Sequence, residues 1–273
     1  ELSRNKFENN YCSTSAHNNY LKRRKNSSHS SKYNDVLSNL ISEKLHENWS
    51  PEQISNALLN GKLSFKTIYN WIYIGKLKGI SLKNLRHKGK RRKKETRGKF
   101  LIGNSITTRP KDVKSRKTFG HWELDTIVSS RGKSKACLAT FVERKTRFYV
   151  AIKIKDRTAP SMLKAIKKLV KVLPKKALKT FTTDRGKEFA CYKEVEKLNI
   201  KVYFADAYAA WQRGSNENSN GLLREYYPKK TDLGKISNDD LIEKLILLNS
   251  RPRKCLNWDN PFNLFLKEVS HLD

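Results

Sequence analysis

From residue 121 onward, the apolar residues of the chain alternate between a two-residue period and a helical period. Residues 147–155 place apolar side chains at every second position, which is typical of a strand with one buried face. Residues 160–173 place them at every third or fourth position, which predicts an amphipathic helix. Along the chain these patterns predict the element order βββαβαβα with a further helix appended. We therefore expect an α/β fold in which helices pack on a mixed sheet.

Three acidic residues of this second half occupy positions that such a fold holds rigidly. Asp184 ends an apolar stretch just before an Arg-Gly turn, and Glu217 opens a predicted helix after a loop rich in Gly, Ser and Asn. Asp125 lies within the predicted strand 121–128. In a chain with 58 basic and 26 acidic side chains, these carboxylates are candidates for binding hard divalent cations, which prefer oxygen ligands.

Residues 50–75 predict two short helices joined by a turn. Ser50 and Gln53 fit a capping box with Pro51 at the first helical position, and a second helix begins after Ser64. From spacing alone, an ordinary helical hairpin is as good an interpretation as a DNA-binding helix-turn-helix, and the basic charge around the motif favours DNA. In that case the second helix offers three side chains to a major groove: Lys66, Thr67 and Asn70.

A strongly basic segment follows, in which 10 of the 17 residues from 83 to 99 are Lys or Arg. Because no packed core forms from such a composition, it predicts a linker that follows DNA phosphates, in preference to a nuclear-localisation signal. The side chains expected to contact phosphates are Arg91, Arg92, Lys93 and Lys94. We therefore divide the chain into a helical DNA-binding region (1–82), a basic linker (83–118) and a catalytic core with C-terminal helices (119–273).

The net charge of +32 would make the chain repel itself unless it binds a polyanion, and nucleic acid is the usual one. A membrane surface is the weaker alternative, since no apolar run approaches the roughly 20 residues of a spanning helix. The four cysteines are scattered without a CxxC pair, which argues against a zinc site or a disulfide framework and fits a reducing cytosol. The only methionine is Met162, so we expect the chain to begin inside a longer protein.

Five blocks of the chain closely resemble, in order, the bacterial insertion-sequence transposases of the "thirty" type: GHWELD, TFVERKTRF, TDRGKEF, WQRGSNENSNGLLREYYPKKTDL and LNSRPRKCLNW. The segments WSPEQIS and SFKTIYNWIY resemble the helix-turn-helix of that family, so the similarity extends over roughly residues 45–265. The opening ELSRN resembles the tail of an additional N-terminal helix-turn-helix. The resemblance implies a DDE transposase with a ribonuclease H-like, integrase-type catalytic core, an architecture that the predicted element order fits.

The resemblance also implies a set of functional residues. It places the catalytic and metal-binding triad on Asp125, Asp184 and Glu217, with 32 residues between the last two. It implies two Mg²⁺ ions, which Mn²⁺ is able to replace, with Asp125 bridging both ions and the other two carboxylates each binding one. One departure is Leu124, which stands where the family pattern has a glycine and is expected to crowd the strand beside the site.

Neighbouring residues are candidates for DNA contact. Gly221 and Arg224 follow Glu217 by four and seven residues, so on a regular helix all three share one face. We expect Arg224 to hold a phosphate and the glycine to let the DNA backbone come close, and Arg213 is a further candidate for DNA contact. A structural role is the expected one for three polar residues near the site: His121, Glu123 and Glu188.

Together these predictions favour a transposase that binds the terminal inverted repeats of its element, cleaves DNA at the ends and joins the 3′-hydroxyls to target DNA. A ribonuclease H-like nuclease is the less favoured alternative, because the helix-turn-helix and basic linker imply binding to a particular DNA site. A catalytically silent DNA-binding regulator is also less favoured, because all three carboxylates are intact. The expected partners are double-stranded DNA and further copies of the chain, and the expected location is the bacterial cytoplasm, at the nucleoid.

Overall fold

The computed structural model describes residues 6–7, 10–27, 32–86, 103–130, 132–206 and 209–272. The chain forms two compact units, Glu1–Leu40 and Ile41–Asp273. Four residues predicted to contact phosphates lie outside the described residues: Arg91, Arg92, Lys93 and Lys94. The predicted boundaries at residues 82 and 118 divide the chain by function, whereas the two units are divided by packing. These boundaries therefore stay predictions.

The first unit contains a short antiparallel pair of strands and a helix. β1 (Lys6–Phe7) pairs with β2 (Asn10–Tyr11), and α1 (Ser13–Asn26) follows. Ala16 is the buried residue of α1, so this helix has little apolar surface inside the unit. α2 (Asp35–His46) begins here and continues into the second unit.

The second unit opens with the predicted pair of short helices. α3 (Pro51–Gln53) continues as a π-helical turn over Ile54–Leu58, and α4 (Phe65–Tyr73) follows after a loop. The capping box is present, since the Gln53 amide donates to Ser50 Oγ at 3.2 Å and the Ser50 amide donates to Gln53 Oε1 at 2.8 Å. The pair buries Ile54, Ile68, Trp71 and Ile72. Its role in DNA binding stays a prediction.

A six-stranded mixed sheet forms the centre of this unit, in the order β3-β8-β7-β4-β5-β6. The strands are β3 (Asn104–Ser105), β4 (His121–Val128), β5 (Cys137–Glu143), β6 (Tyr149–Ile154), β7 (Thr180–Thr183) and β8 (Lys201–Phe204). β4, β5 and β6 form an antiparallel meander, whereas β7 lies parallel to β4 and β8 parallel to β7. The helices of this part are α5 (Asp112–Ser115), α6 (Ala159–Val172), α7 (Tyr192–Glu196), α8 (Gly214–Tyr226), α9 (Asn238–Ser250) and α10 (Pro261–Ser270). The predicted ribonuclease H-like order of strands and helices is thereby confirmed.

Three details differ from the sequence prediction. β3 lies inside the segment predicted as linker and pairs in parallel with β8, but two residues are too few to show a strand period. Between β7 and β8, where the predicted order has one helix, the chain forms a 3₁₀ helix at Lys187–Cys191 followed by the short α7. α10 adds a further helix at the end of the described chain, with Phe265 stacked on Phe148 at 4.0 Å between ring centroids.

Apolar side chains pack on both faces of the sheet. On one face, Trp122, Leu124 and Phe181 are part of a cluster that includes residues of α6 and α10. On the other face, Ile127 and Tyr149 pack with residues of α8 and α9. Because side chains alternate along a strand, Leu124 points away from the face that carries Asp125. Its expected crowding of the site is therefore wrong, since the side chain is core on the opposite face.

None of the helices in the described ranges has both the length and the apolar character needed to cross a membrane.

Candidate active site

Asp125 lies within β4, on the face of the sheet that α8 covers. Its Oδ1 accepts a hydrogen bond from the Thr126 amide at 2.8 Å, and its Oδ2 accepts one from Asn220 Nδ2 of α8 at 3.1 Å. Tyr149 in turn donates its hydroxyl proton to Asn220 Oδ1 at 2.9 Å. Burial raises the pKa of the Tyr149 hydroxyl, so Tyr149 keeps the proton that it donates. The Asp125 carboxylate is thus oriented from two sides.

Asp184 comes to the same edge of the sheet because β4 and β7 are parallel. Thr182 pairs with Glu123, so two residues further on Asp184 follows beside Asp125. Its Oδ1 accepts a hydrogen bond from the Gly186 amide at 2.9 Å, which closes a tight turn. A Cβ atom at Gly186 would lie 2.5 Å from Glu188 Oε2 and 2.9 Å from Asp184 Oδ1, so a side chain here would displace one or both carboxylates.

The guanidinium of Arg213 joins the two aspartates. Its Nη1 lies 3.5 Å from Asp125 Oδ2 and its Nη2 lies 3.2 Å from Asp184 Oδ2, while Nη1 also donates to the Leu124 carbonyl at 3.3 Å. The Arg213 side chain is 14% exposed, compared with 24% and 34% for the Asp125 and Asp184 side chains. Burial raises the pKa of Asp125, the Arg213 charge opposes that rise, and the neighbouring Asp184 carboxylate adds to it.

The first turn of α8 is fixed to β4 by Asn216. Its backbone amide donates to Glu123 Oε2 at 2.9 Å, and its side-chain amide donates to the Glu123 carbonyl at 2.9 Å. Glu217, the next residue, is exposed in this first turn. It precedes Asn220 by three residues, so the two lie on the same face of the helix. Glu217 is thus one turn before Asn220, the residue of α8 that reaches Asp125, and its own side chain is exposed.

The chemistry of these groups fits a divalent cation in part. Among the residues that the structure describes, no three His, Cys, Asp or Glu side chains converge closely enough to hold a metal ion. Asp125 and Asp184 do converge on one cationic group, Arg213, and they offer the carboxylate oxygens that Mg²⁺ prefers. Asp125 and Asp184, two of the three predicted ligands, therefore fit the ion in the positions that they occupy here. Glu217, the third, lies on the adjoining face of α8.

A further buried carboxylate borders the pair. Glu188 is 1% exposed, accepts the Thr126 hydroxyl at 2.5 Å and pairs with Arg157 Nε at 2.6 Å. Thr126 follows Asp125 directly, so this contact connects the turn after β7 to the strand that carries the first aspartate. The expected structural role of Glu188 agrees with these contacts.

Glu123 and His121 are packed groups. The fully buried Glu123 forms an ion pair with Arg144 and holds Asn216, so its charge and hydrogen bonds are satisfied inside the protein. His121 is 5% exposed, and its Nδ1 lies 2.8 Å from Thr180 Oγ1. Burial lowers the pKa of His121 to about 4, so the ring is neutral at pH 7.

The predicted DNA contacts lie in different surroundings. Arg224 donates to three backbone carbonyls, at 2.8 Å to Val128, 3.3 Å to Tyr227 and 3.4 Å to Pro228, so it connects the end of α8 to the end of β4. A Cβ at Gly221 would lie 3.1 Å from Arg86 Nη2. In α4, Lys66 and Asn70 are exposed and Thr67 is half-buried.

Sequence reasoning missed four residues that shape the site: Tyr149, Arg157, Asn216 and Asn220. The clue for Asn220 was its position three residues after Glu217 on a predicted helix, which places both side chains on one face. The partner of Arg157 is 31 residues away, and local periodicity carries no information about such a pair.

Comparison with known proteins finds similarity over much of the chain. Residues 115–210 match the family described as integrase core domain. The transposase InsI for insertion sequence element IS30A of Escherichia coli (strain K12) is 34% identical over 87% of this chain, and the chain spans 66% of that relative. Among solved structures, the catalytic core domain of BIV integrase aligns with 55% of this chain and 96% of its own, at 18% identity and a TM-score of 0.43.

Two further relatives are matched over a larger share of their own length. The transposase for IS1086 of Cupriavidus metallidurans is 35% identical over 86% of this chain and 74% of the relative. The transposase for IS4351 of Bacteroides fragilis is 38% identical over 83% of this chain and 72% of the relative. At this identity and coverage, the chain belongs to the IS30 family of insertion-sequence transposases.

Proposed function

We propose that this chain cleaves DNA at the ends of its insertion sequence and joins the freed 3′-hydroxyls to target DNA. The observation that carries the proposal is the convergence of Asp125 and Asp184 on one cationic group at the same edge of the sheet. Glu217 supplies the third acid from the adjoining face of α8. In-line displacement at a phosphodiester depends mainly on positioning and charge neutralisation, for which rigidly held carboxylates are suited.

The cofactor proposed is a pair of Mg²⁺ ions, which Mn²⁺ is able to replace. Asp125, Asp184 and Glu217 would hold these ions, with Asp125 as the shared ligand. When bound, they supply an activated nucleophile and neutralise the leaving oxygen. The chain itself orients the acids: Thr126 and Asn220 fix Asp125, the Gly186 amide fixes Asp184, and Asn216 fixes the start of α8 beside them.

The proposed substrate is double-stranded DNA, in the form of the terminal inverted repeats and the target. In this proposal α4 presents Lys66, Thr67 and Asn70 to a major groove, and the basic residues Arg91, Arg92, Lys93 and Lys94 follow phosphates. Arg213 and Arg224 contact DNA beside the catalytic acids. Because two ends must be brought together, the active form is proposed to be a homo-oligomer on DNA, acting at the bacterial nucleoid.

The test replaces one acid without changing its shape. Asp184→Asn removes a charge from the proposed metal site, so cleavage and joining of a supercoiled plasmid that carries the element's ends should fall at least about a hundredfold. Binding to the ends, measured by gel shift, should survive. Asp239→Asn, the same change at an exposed position of α9, is the matched control and should keep full activity.

Other outcomes discriminate against the proposal. Retained cleavage by Asp184→Asn at equal Mg²⁺ concentration would remove Asp184 from the site. Nicks without preference for the ends would indicate a nuclease. DNA that is shifted but never cut by the unaltered protein with Mg²⁺ would indicate a DNA-binding regulator.

A further inference from the structure

Arg213 stands between the two aspartates in the manner of a bound cation. Its two terminal nitrogens reach one carboxylate oxygen each, at 3.5 Å on Asp125 and 3.2 Å on Asp184. In both residues the contacted atom is Oδ2, while the other oxygen, Oδ1, is held by a backbone amide. The guanidinium therefore uses the oxygens that the local backbone leaves available.

The remaining contacts of Arg213 do not require the side chain to stay in place. Apart from the two carboxylates, it donates to the Leu124 carbonyl at 3.3 Å. Its Nε atom is buried and has no hydrogen-bond partner among the described residues. A buried donor without a partner is unfavourable, so it offsets part of the stabilisation that the two carboxylates provide.

The backbone before α8 allows such a movement. Arg213 ends the 3₁₀ helix Ala210–Arg213 and precedes α8, outside its regular hydrogen bonding. The first turn of the helix is held separately, by Asn216 on Glu123 and by Arg147 Nη1, which donates to Ser215 Oγ at 2.6 Å. The side chain can therefore leave the aspartates without unfolding the start of α8.

We propose that Arg213 occupies the cation position of the metal-free protein and competes with divalent metal for Asp125 and Asp184. The inference rests on the proposed function, because it assigns these aspartates to the metal site. Arg213 is thus a positioning residue that holds the two acids together before metal binds. It also lowers the apparent affinity for the metal, because the metal binds only those molecules in which Arg213 has left the aspartates.

The test measures metal binding without DNA. Mn²⁺ is titrated into the full chain, and free Mn²⁺ is followed by its electron paramagnetic resonance signal. Arg213→Gln keeps a polar, shorter side chain but removes the charge that binds the aspartates. We expect Mn²⁺ to bind roughly five- to thirty-fold more tightly, which is the factor that one or two kcal/mol represents. Arg213→Lys should fall between the two, since an ammonium is a point charge without the planar fork.

Lys187→Gln is the matched control, because it removes one positive charge from an exposed side chain three residues after Asp184. Its Mn²⁺ affinity should equal that of the unaltered protein. A second measurement compares melting temperatures, in case Arg213→Gln folds poorly. In the presence of a metal chelator, Arg213→Gln should melt at a lower temperature than the unaltered protein. Mn²⁺ should then raise the melting temperature of Arg213→Gln by more than it raises that of the unaltered protein.

Unchanged or weaker Mn²⁺ binding by a folded Arg213→Gln protein would overturn the inference. So would equal tightening in Lys187→Gln, which would show a general charge effect. These outcomes leave the proposed function intact as long as Asp184→Asn abolishes Mn²⁺ binding. If the unaltered protein binds no Mn²⁺, the proposed metal site and the competition both fail.

Discussion

Asp125 is held more firmly than Asp184, because each of its oxygens has a donor besides Arg213. Asp125 and Asp184 were predictable from the sequence, since strand periods and a turn indicate where each one stands. The Tyr149–Asn220–Asp125 network was not, because its members lie on β6, α8 and β4 and meet only in the folded sheet. The contact of Arg213 with both acids was missed for the same reason.

His121 predicts a pH dependence of stability. Burial lowers the pKa of the folded ring to about 4, whereas an exposed histidine titrates near 6.5. The unfolded chain therefore takes up a proton first as the pH falls. The stabilising contribution is full above pH 6.5 and is lost as the pH falls toward 4, by about 3 kcal/mol in the free energy of unfolding.

The measurement is urea unfolding at several pH values between 7 and 4. The free energy of unfolding of His121→Gln should fall less steeply over this range than that of the unaltered protein. His46→Gln, at an exposed position, should follow the unaltered protein. Equal slopes for the unaltered protein and His121→Gln would contradict the assignment.

At the scale of elements, α8 is attached at both of its ends to β4, the strand that carries Asp125. Asn216 attaches its start to β4, and Arg224 attaches its end to the carbonyl of Val128. The sequence predicted that this helix opens at Glu217, whereas it begins at Gly214, inside the segment rich in Gly, Ser and Asn that was expected to be a loop. It did not predict β3, whose two residues join the sheet through backbone pairing alone.

Arg224→Ala should therefore destabilise the fold. The change removes a charged donor from three carbonyls, which should lower the free energy of unfolding by about 1–3 kcal/mol. Urea unfolding measures this loss, and Lys229→Ala, at an exposed position just after α8, is the control and should change little. If Arg224→Ala instead weakens DNA binding while the free energy of unfolding stays unchanged, Arg224 contacts a DNA phosphate. Its hydrogen bonds to the three carbonyls then contribute little to stability.

At the scale of the whole molecule, the net charge of +32 predicts a strong salt dependence of DNA binding. Each phosphate contact releases about one counterion, so the logarithm of affinity should fall against the logarithm of salt with a slope of about one per phosphate engaged. Arg92→Ala should reduce that slope by about one on every DNA sequence tested. A flat dependence, measured by fluorescence anisotropy, would show that the positive charge does not face DNA.

The fold class and the order of elements from residue 121 onward followed from periodicity, because most strands and helices there bury an apolar face. The packing of the helical pair on the C-terminal part did not follow. Gln53 Nε2 donates to the Pro252 carbonyl at 2.5 Å, across 199 residues of sequence. A contact of that separation depends on the path of the backbone, which local patterns do not determine.

The arginine bridge between the two aspartates also bears on how the protein is made. Two neighbouring negative charges would otherwise repel each other as the chain folds. Because Arg213 supplies a positive charge between them, this repulsion is offset within the chain and does not require a bound metal ion.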